Sequence, residues 1–206
     1  MRVGPKYKIA RRLGEAVFAK TQTPKFALSE QRKERVQVKK KRRGGRSEYA
    51  TQLIEKQKIR YSYGISERQL SNYVDKSYKR STEVPQANLF RLLESRLDNV
   101  VFRLGFAMTR PFARQMVTHG HILLNGRRVN IPSALLNPGD VITLRPGSRT
   151  SRMFEGLPER AKEMKTPAWL ILDPTTLTGT ITREPGDDIE ATNLNFGAVV
   201  EFYSRV

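Results

Sequence analysis

Residues 89–106 read Leu-Phe-Arg-Leu-Leu-Glu-Ser-Arg-Leu-Asp-Asn-Val-Val-Phe-Arg-Leu-Gly-Phe. Leu89, Leu92, Leu93, Leu97, Val100, Val101 and Leu104 recur at steps of three and four, which draws one apolar stripe along a helix. Gly105 supplies the left-handed stop. An unbroken helix of this length would run through two modules, so an interruption is expected near Glu94–Arg96, and the domain boundary with it. Just downstream, Thr109 is a credible N-cap for a short helix, with Pro111 in the first turn and Gly120 after the C-cap. His121-Ile122-Leu123-Leu124 then leads into Asn125-Gly126 and Arg127-Arg128-Val129, a strong hairpin signal because both turn positions favour positive φ. Asn137-Pro138-Gly139-Asp140 suits a type II turn and delivers the chain into a strand at Val141–Leu144. The central module is therefore helix, helix and short strands.

Upstream, Ser47 opens a helix to Tyr61 that Gly64 ends, with Tyr49, Leu53 and Gln57 on one stripe beside Ile54 and Lys58. Ser66-Glu67-Arg68-Gln69 is a capping-box pattern, and the helix it starts sets Leu70, Tyr73, Val74, Ser77 and Tyr78 on one face. Residues 1–46 carry little periodicity and several breakers, so they read as an extended arm with one short helix around Lys8–Lys20. Beyond the module, Arg149–Lys165 is polar and partly helical, Trp169–Leu172 and Gly179–Thr182 read as small paired strands, and Asn195 caps a last helix through Tyr203.

The chain has 206 residues and a formal net charge of +18. Residues 1–93 hold 24 basic and 8 acidic side chains, residues 94–148 hold 7 and 3, and residues 149–206 hold 7 and 9. The excess lies in the first half, which points to one anion-facing region. Its densest part, Arg32–Arg46, has nine basic residues and one acid, Glu34, and is expected to be disordered when free. With no cysteine, disulfides, Cys-ligated zinc, iron–sulfur clusters and thiol nucleophiles are excluded. No apolar run reaches the roughly 20 residues of a membrane span, and the start lacks the apolar stretch of a signal peptide, so a soluble intracellular protein is expected.

Arg96, Arg103, Arg110, Arg114, Gln115, His119, His121, Asn125, Arg127 and Arg128 cluster around the second helix and the hairpin of the module. Arg110 and Arg114 lie four apart on one helical face. A guanidinium donates two parallel hydrogen bonds to a phosphate and stacks on unpaired bases, so this composition favours structured RNA over duplex DNA. His119 and His121 are the only histidines and have neither cysteine nor a nearby carboxylate, so packing or RNA contact fits them better than a metal. Phosphate-loop glycine patterns are absent, and Asp187-Asp188 reads as a solvated turn. No catalytic site, metal or cofactor is expected.

Arg96-Leu97-Asp98-Asn99-Val100-Val101-Phe102-Arg103-Leu104-Gly105-Phe106, with Thr109-Arg110, Ala113-Arg114-Gln115, Val117, His119-Gly120-His121, Asn125-Gly126 and Val129-Asn130-Ile131-Pro132, resembles the small-subunit ribosomal protein S-four family, bacterial type, in a cysteine-free form. The resemblance extends through Gln52-Leu53, Glu55–Lys58, Tyr63-Gly64, Glu67-Arg68-Gln69 and Asn72-Tyr73, and through Trp169-Leu170 and Glu201–Arg205. It implies a primary ribosomal-RNA binder that organises the 5′ domain of small-subunit RNA early in assembly, contacts neighbouring small-subunit proteins, lies near messenger RNA at the entry side and contributes to decoding fidelity. It carries RNA contact to Arg96, Arg110, Arg114, Gln115, His119, Asn125 and Arg127. With the basic positions Arg11, Arg12, Lys39, Lys40, Lys41, Arg42, Arg43, Arg46, Lys56, Lys58 and Arg68, these form the expected RNA-binding set. In place of the Pro-Gly-rich or zinc-binding knuckle of many members stands Lys40-Lys41-Arg42-Arg43-Gly44-Gly45-Arg46.

The expected fold is α+β: a mainly helical first domain with a basic arm, an inserted helix-helix-β-hairpin RNA-binding module, and a small β/α C-terminal segment packing back on the first domain. The boundaries are 1–46 for the arm, 47–93 for the helical domain, 94–159 for the module and 160–206 for the C-terminal strands and helix. The expected location is the cytoplasm, in the small ribosomal subunit. An RNA-modifying or tRNA-handling enzyme carrying the same module as an accessory is the competing reading, and no residue outside the module offers it a catalytic group.

Overall fold

The computed structural model describes residues 3–37, 47–79, 84–149, 151, 154–157, 159, 166–186, 189 and 192–205. In chain order the helices before the sheet are α1 (Lys6–Leu13), α2 (Pro24–Gln37), α3 (Glu48–Tyr63), α4 (Glu67–Lys79), α5 (Pro85–Glu94), α6 (Leu97–Arg103) and α7 (Arg110–Thr118). Then come β1 (Ile122–Leu124), β2 (Arg127–Arg128), β3 (Val141–Leu144), the one-turn α8 (Pro146–Arg149), β4 (Leu170–Asp173), β5 (Thr178–Ile181) and α9 (Phe196–Ser204). The fold is α+β, and it forms two compact units, Met1–Lys79 with Asn193–Val206, and Arg80–Thr192. The arm residues Lys39, Lys40, Lys41, Arg42, Arg43 and Arg46, and the pair Asp187-Asp188, lie outside the described residues.

In the first unit, local signals set the helix ends. The Ser47 hydroxyl accepts from the Ala50 amide, Gly64 closes α3 at φ 64°, and Ser66 and Gln69 exchange backbone-to-side-chain bonds of 3.1 and 3.3 Å as the capping box requires. The face of α3 that turns inward differs from the expected one. It is Gln52, Lys56, Ile59 and Tyr63, because the polar members find partners: Gln52 donates to Glu48 and Glu201, and Lys56 pairs with Glu67 at 2.7 Å and sits 4.3 Å from the Phe202 ring centre. Nor are residues 3–37 an extended arm. Ala10, Leu13 and Phe26 are buried, Phe18 meets Tyr61 edge-on at 5.8 Å, and Glu15 reaches Lys58 at 3.4 Å, so this segment closes over α3.

Tyr203 on α9 donates to Glu67 at 2.6 Å, tying the last helix to α4. Partial burial pushes the Glu67 carboxyl up, but the hydrogen bonds from Lys56 and Tyr203 and the charges of Lys56 and Arg60 outweigh it and hold it below the ordinary glutamate range. The Tyr203 hydroxyl is pushed up, by burial first and then by Glu67. Because the folded value of Glu67 is depressed, its contribution to stability is complete above about pH 4.3 and is lost as pH falls through the lower folded value. Urea midpoints measured from neutral pH into the acid range should therefore fall less for Glu67→Gln than for the parent; parallel loss in both would remove Glu67 from the acid limb.

In the second unit, the stripe of residues 89–106 breaks where the sequence predicts. α5 ends at Glu94 and α6 begins at Leu97, with Ser95 and Arg96 between them. The break is held by the loop 132–136: the Leu97 and Asp98 amides, left without helical partners at the start of α6, donate to the carbonyls of Ala134 (2.9 Å) and Pro132 (3.1 Å), and the Leu136 amide donates to Ser95 (2.9 Å). Gly105 has φ 77°, Thr109 caps α7 through the Phe112 amide at 3.3 Å, and the Asn125-Gly126 turn has φ 48° and 77°. Leu97, Val100, Val101, Leu104, Ala113, Met116, Val117, Ile122, Ile142, Leu144, Trp169 and Ile181 form one buried cluster between these helices and the sheet.

The sheet is antiparallel in the order β2-β1-β3-β5-β4. Here the outcome departs from the expected boundaries. Ile142 lies opposite both Leu124 and Gly179, so β4 and β5 extend the hairpin's own sheet and belong to the second unit; the segment from Asn193 onward belongs to the first. α5 likewise falls in the second unit, which begins after Lys79 and not at residue 94. A β3 with no neighbour but β1 would leave a row of backbone groups unpaired, and β5 supplies that row. Gly179 makes the fit possible, since a Cβ there would run into the Leu104 side chain.

Candidate nucleic-acid interface

The break between α5 and α6 buries two carboxylates and gathers four arginines. Glu94 is 1% exposed and Asp98 5%. Arg96 is wholly buried and grips Asp98 with two bonds, Nε to Oδ1 at 3.0 Å and Nη2 to Oδ2 at 2.7 Å. Arg103 holds Glu94 the same way, at 2.8 and 2.9 Å. Arg110 donates through Nε to Asn99 at 2.8 Å, comes within 4.0 Å of Glu94 and lies over the Phe102 ring at 4.5 Å. Arg114 approaches Asp98 at 3.4 Å. The side chains of Arg103, Arg110 and Arg114 remain 27%, 22% and 35% exposed, so each anchors one edge inside and shows another to solvent. Over residues 94–148 the seven arginines face three acids, two of which are these buried ones; the surface is more cationic than the composition indicates.

The third acid, Asp140, is also engaged. It accepts from the Asn137 amide and from the Asn125 side chain, each at 2.8 Å, while the Asn125 carbonyl oxygen takes the Val141 amide at 2.8 Å. Asn125 thus fastens the hairpin turn to the second turn, which accounts for its presence without an external ligand. Arg127 and Arg128 are exposed on β2. Arg128 donates to the His119 carbonyl at 3.1 Å and lies across Gly120, where a Cβ would clash with its guanidinium. That contact places a cation at the C-terminus of α7, where the helix dipole favours it. Gln115 and His119 are exposed. His121 meets the Ser148 hydroxyl at 2.9 Å and the edge of Phe154; burial, then the charges of His119, Arg145 and Arg128, hold it below the ordinary histidine range, so it adds no charge at neutral pH.

Among the other expected contacts, Arg12 and Arg68 are exposed, and Arg11 pairs with Glu30 at 2.8 Å beside Ser29. Three need correction. Arg96 is enclosed, Lys56 is shut between Glu67 and Phe202, and Lys58 is taken by Glu55 at 2.8 Å and by Glu15. Each is a cation in a mostly apolar or acid-lined site, and each stabilises its own unit instead of presenting charge outward. Glu94, Asp98 and Asn99 are absent from the expected set. Their signal is present in the sequence: charged residues set inside the apolar stripe between Leu93 and Val100 cannot all face water. Among the described residues, no group of three or more histidines, aspartates or glutamates stands close enough to hold a metal ion, and no helix is long and apolar enough to cross a membrane.

Residues 95–142, which span this rim and the hairpin, match the family described as S4 domain, and residues 2–94 match the family described as ribosomal protein S4/S9 N-terminal domain. The chain is 48% identical to the small ribosomal subunit protein uS4 of Thermosynechococcus vestitus, over 98% of this chain and 96% of that one. The chain belongs to the uS4 family. It is also 41% identical to the uS4 proteins of Acinetobacter baumannii and Acinetobacter baylyi, with 98% of both chains covered in each case. The two uS4 family matches meet between Glu94 and Ser95, at the helix break. Glu94 and the arginine it binds, Arg103, therefore come from different family segments, although both lie in one compact unit.

Proposed function

We propose that this chain is a structural protein of the small ribosomal subunit, in the cytoplasm, that binds small-subunit ribosomal RNA and performs no bond chemistry. The observation that carries this reading is the arginine rim of the second unit: Arg103, Arg110 and Arg114 with inner edges on buried acids and outer edges exposed, beside Arg127, Arg128, Gln115 and His119 on the helix and hairpin. Fork-shaped donors held in place suit the fixed phosphate contour of folded RNA. Arg11, Arg12, Arg68 and the run Lys39, Lys40, Lys41, Arg42, Arg43 and Arg46 add phosphate contacts. The RNA segment is the 5′ domain, organised early in assembly; neighbouring small-subunit proteins are further partners, messenger RNA lies near the entry side, and decoding fidelity depends in part on these contacts.

A competition titration in one buffer tests the assignment. A transcript of the 5′ domain of small-subunit RNA should outcompete random duplex DNA, and equal affinity would overturn the proposal. Replacing Lys39, Lys40, Lys41, Arg42 and Arg43 by serine should shrink the slope of log affinity against log salt by about three units or more while leaving the thermal melt in place. An unchanged slope would take the run out of the interface.

A further inference from the structure

We infer that Asn99 is a positioning residue for RNA binding: buried beside Glu94, it fixes the direction in which the Arg110 guanidinium is presented at the rim. The inference rests on the reading of that rim as an RNA-binding surface. At 2% exposure, Asn99 is enclosed and meets no external ligand itself. Its amide has one orientation that satisfies its surroundings. Nδ2 donates to the Glu94 carbonyl at 3.0 Å and to Glu94 Oε2 at 2.9 Å, which turns Oδ1 toward Arg110 Nε at 2.8 Å. An aspartate of the same shape would set a second carboxylate against Glu94, and a leucine would strip both neighbours of a partner.

Stacking on Phe102 sets the plane of the Arg110 guanidinium, and the bond from Nε to Asn99 Oδ1 at 2.8 Å sets its direction within that plane, with Glu94 4.0 Å away. A fork that already points outward meets a phosphate with two parallel bonds and loses less side-chain freedom on binding than one that must first be ordered. Glu94 completes the arrangement by holding Asn99 and Arg103 together through one carboxylate.

A double-mutant cycle on the full chain tests this, with a 5′-domain transcript as probe, equilibrium affinity as readout, and circular dichroism and thermal melting recorded for every variant. Arg110→Ala should weaken binding about tenfold and Asn99→Ala about fivefold, and the double variant should bind no more weakly than Arg110→Ala alone. A residue that only supports the fold would lower the melting temperature without that coupling. Additive losses, or full affinity in Asn99→Ala while Arg110→Ala is impaired, would overturn the positioning role and leave the RNA-binding rim standing. Full affinity in Arg110→Ala would remove the rim contact and the inference with it. If Asn99→Ala is unfolded at the assay temperature, Asn99→Ser, a polar side chain that lacks the terminal oxygen Arg110 Nε reaches, replaces it with the same expectations.

Discussion

Arg96→Ala lowers the unfolding free energy of the second unit by about 3–5 kcal/mol. The guanidinium is fully enclosed and makes two bonds to Asp98, itself almost enclosed. Removing one member of such a pair leaves the other ionised group in a poor solvent with most of its compensation gone. Arg114 stays within 3.4 Å of Asp98, but it is a third exposed and cannot take over both oxygens. Arg96→Lys should recover little, since a point charge cannot replace two parallel bonds. Urea unfolding monitored by Trp169, which is buried in the same unit, reads the loss; a change below about 1 kcal/mol would mean that the pair is not what holds the α5–α6 break. At a temperature where the variant is folded, its affinity for RNA should fall far less than that of the variant below.

Arg110→Ala combined with Arg114→Ala should weaken binding of the 5′-domain transcript by about tenfold or more at moderate salt and reduce the salt slope by about one to two units. As freely exposed arginines, these two would be dispensable for stability. The structure changes that expectation: each inner edge serves a buried group, Asn99 or Asp98. Each buried acid keeps a two-bonded arginine when they are removed, Glu94 with Arg103 and Asp98 with Arg96, so the cost to stability should stay near 1–2 kcal/mol. Undiminished affinity in a folded double variant would place the RNA contact elsewhere. A collapse of the fold would show that the four arginines act as one cooperative network.

What the sequence made legible was local chemistry. Ser47, Ser66 with Gln69, Thr109 and Asn195 each cap a helix as their types suggest, and the Asn125-Gly126 hairpin forms. The helix break at residues 94–96 also follows from pattern alone. What escaped was pairing between distant residues. Lys56 reads as a surface cation until Glu67, Phe202 and Tyr203 are placed around it, and two of those three lie near the other end of the chain. α2 is largely polar, so its buried Phe26, whose ring centre lies 5.6 Å from that of Tyr7, gave no periodic signal. The strand partner of β3 was hidden for the same reason: nothing in residues 178–181 says which of two free edges they will join. Arg96 is the sharpest case, because family resemblance and charge both pointed outward while burial turned it inward.

The backbone bonds between Leu97 and Ala134 and between Asp98 and Pro132 join positions far apart along the chain. During synthesis, the first turn of α6 therefore has no stable partner for its amides until the ribosome has released the hairpin and the loop that follows it. Halves of this module cannot mature one after the other. Loop closure must precede the reward from those contacts, so the module should order in a single late event, and a chain halted before residue 132 would hold the arginine cluster unformed.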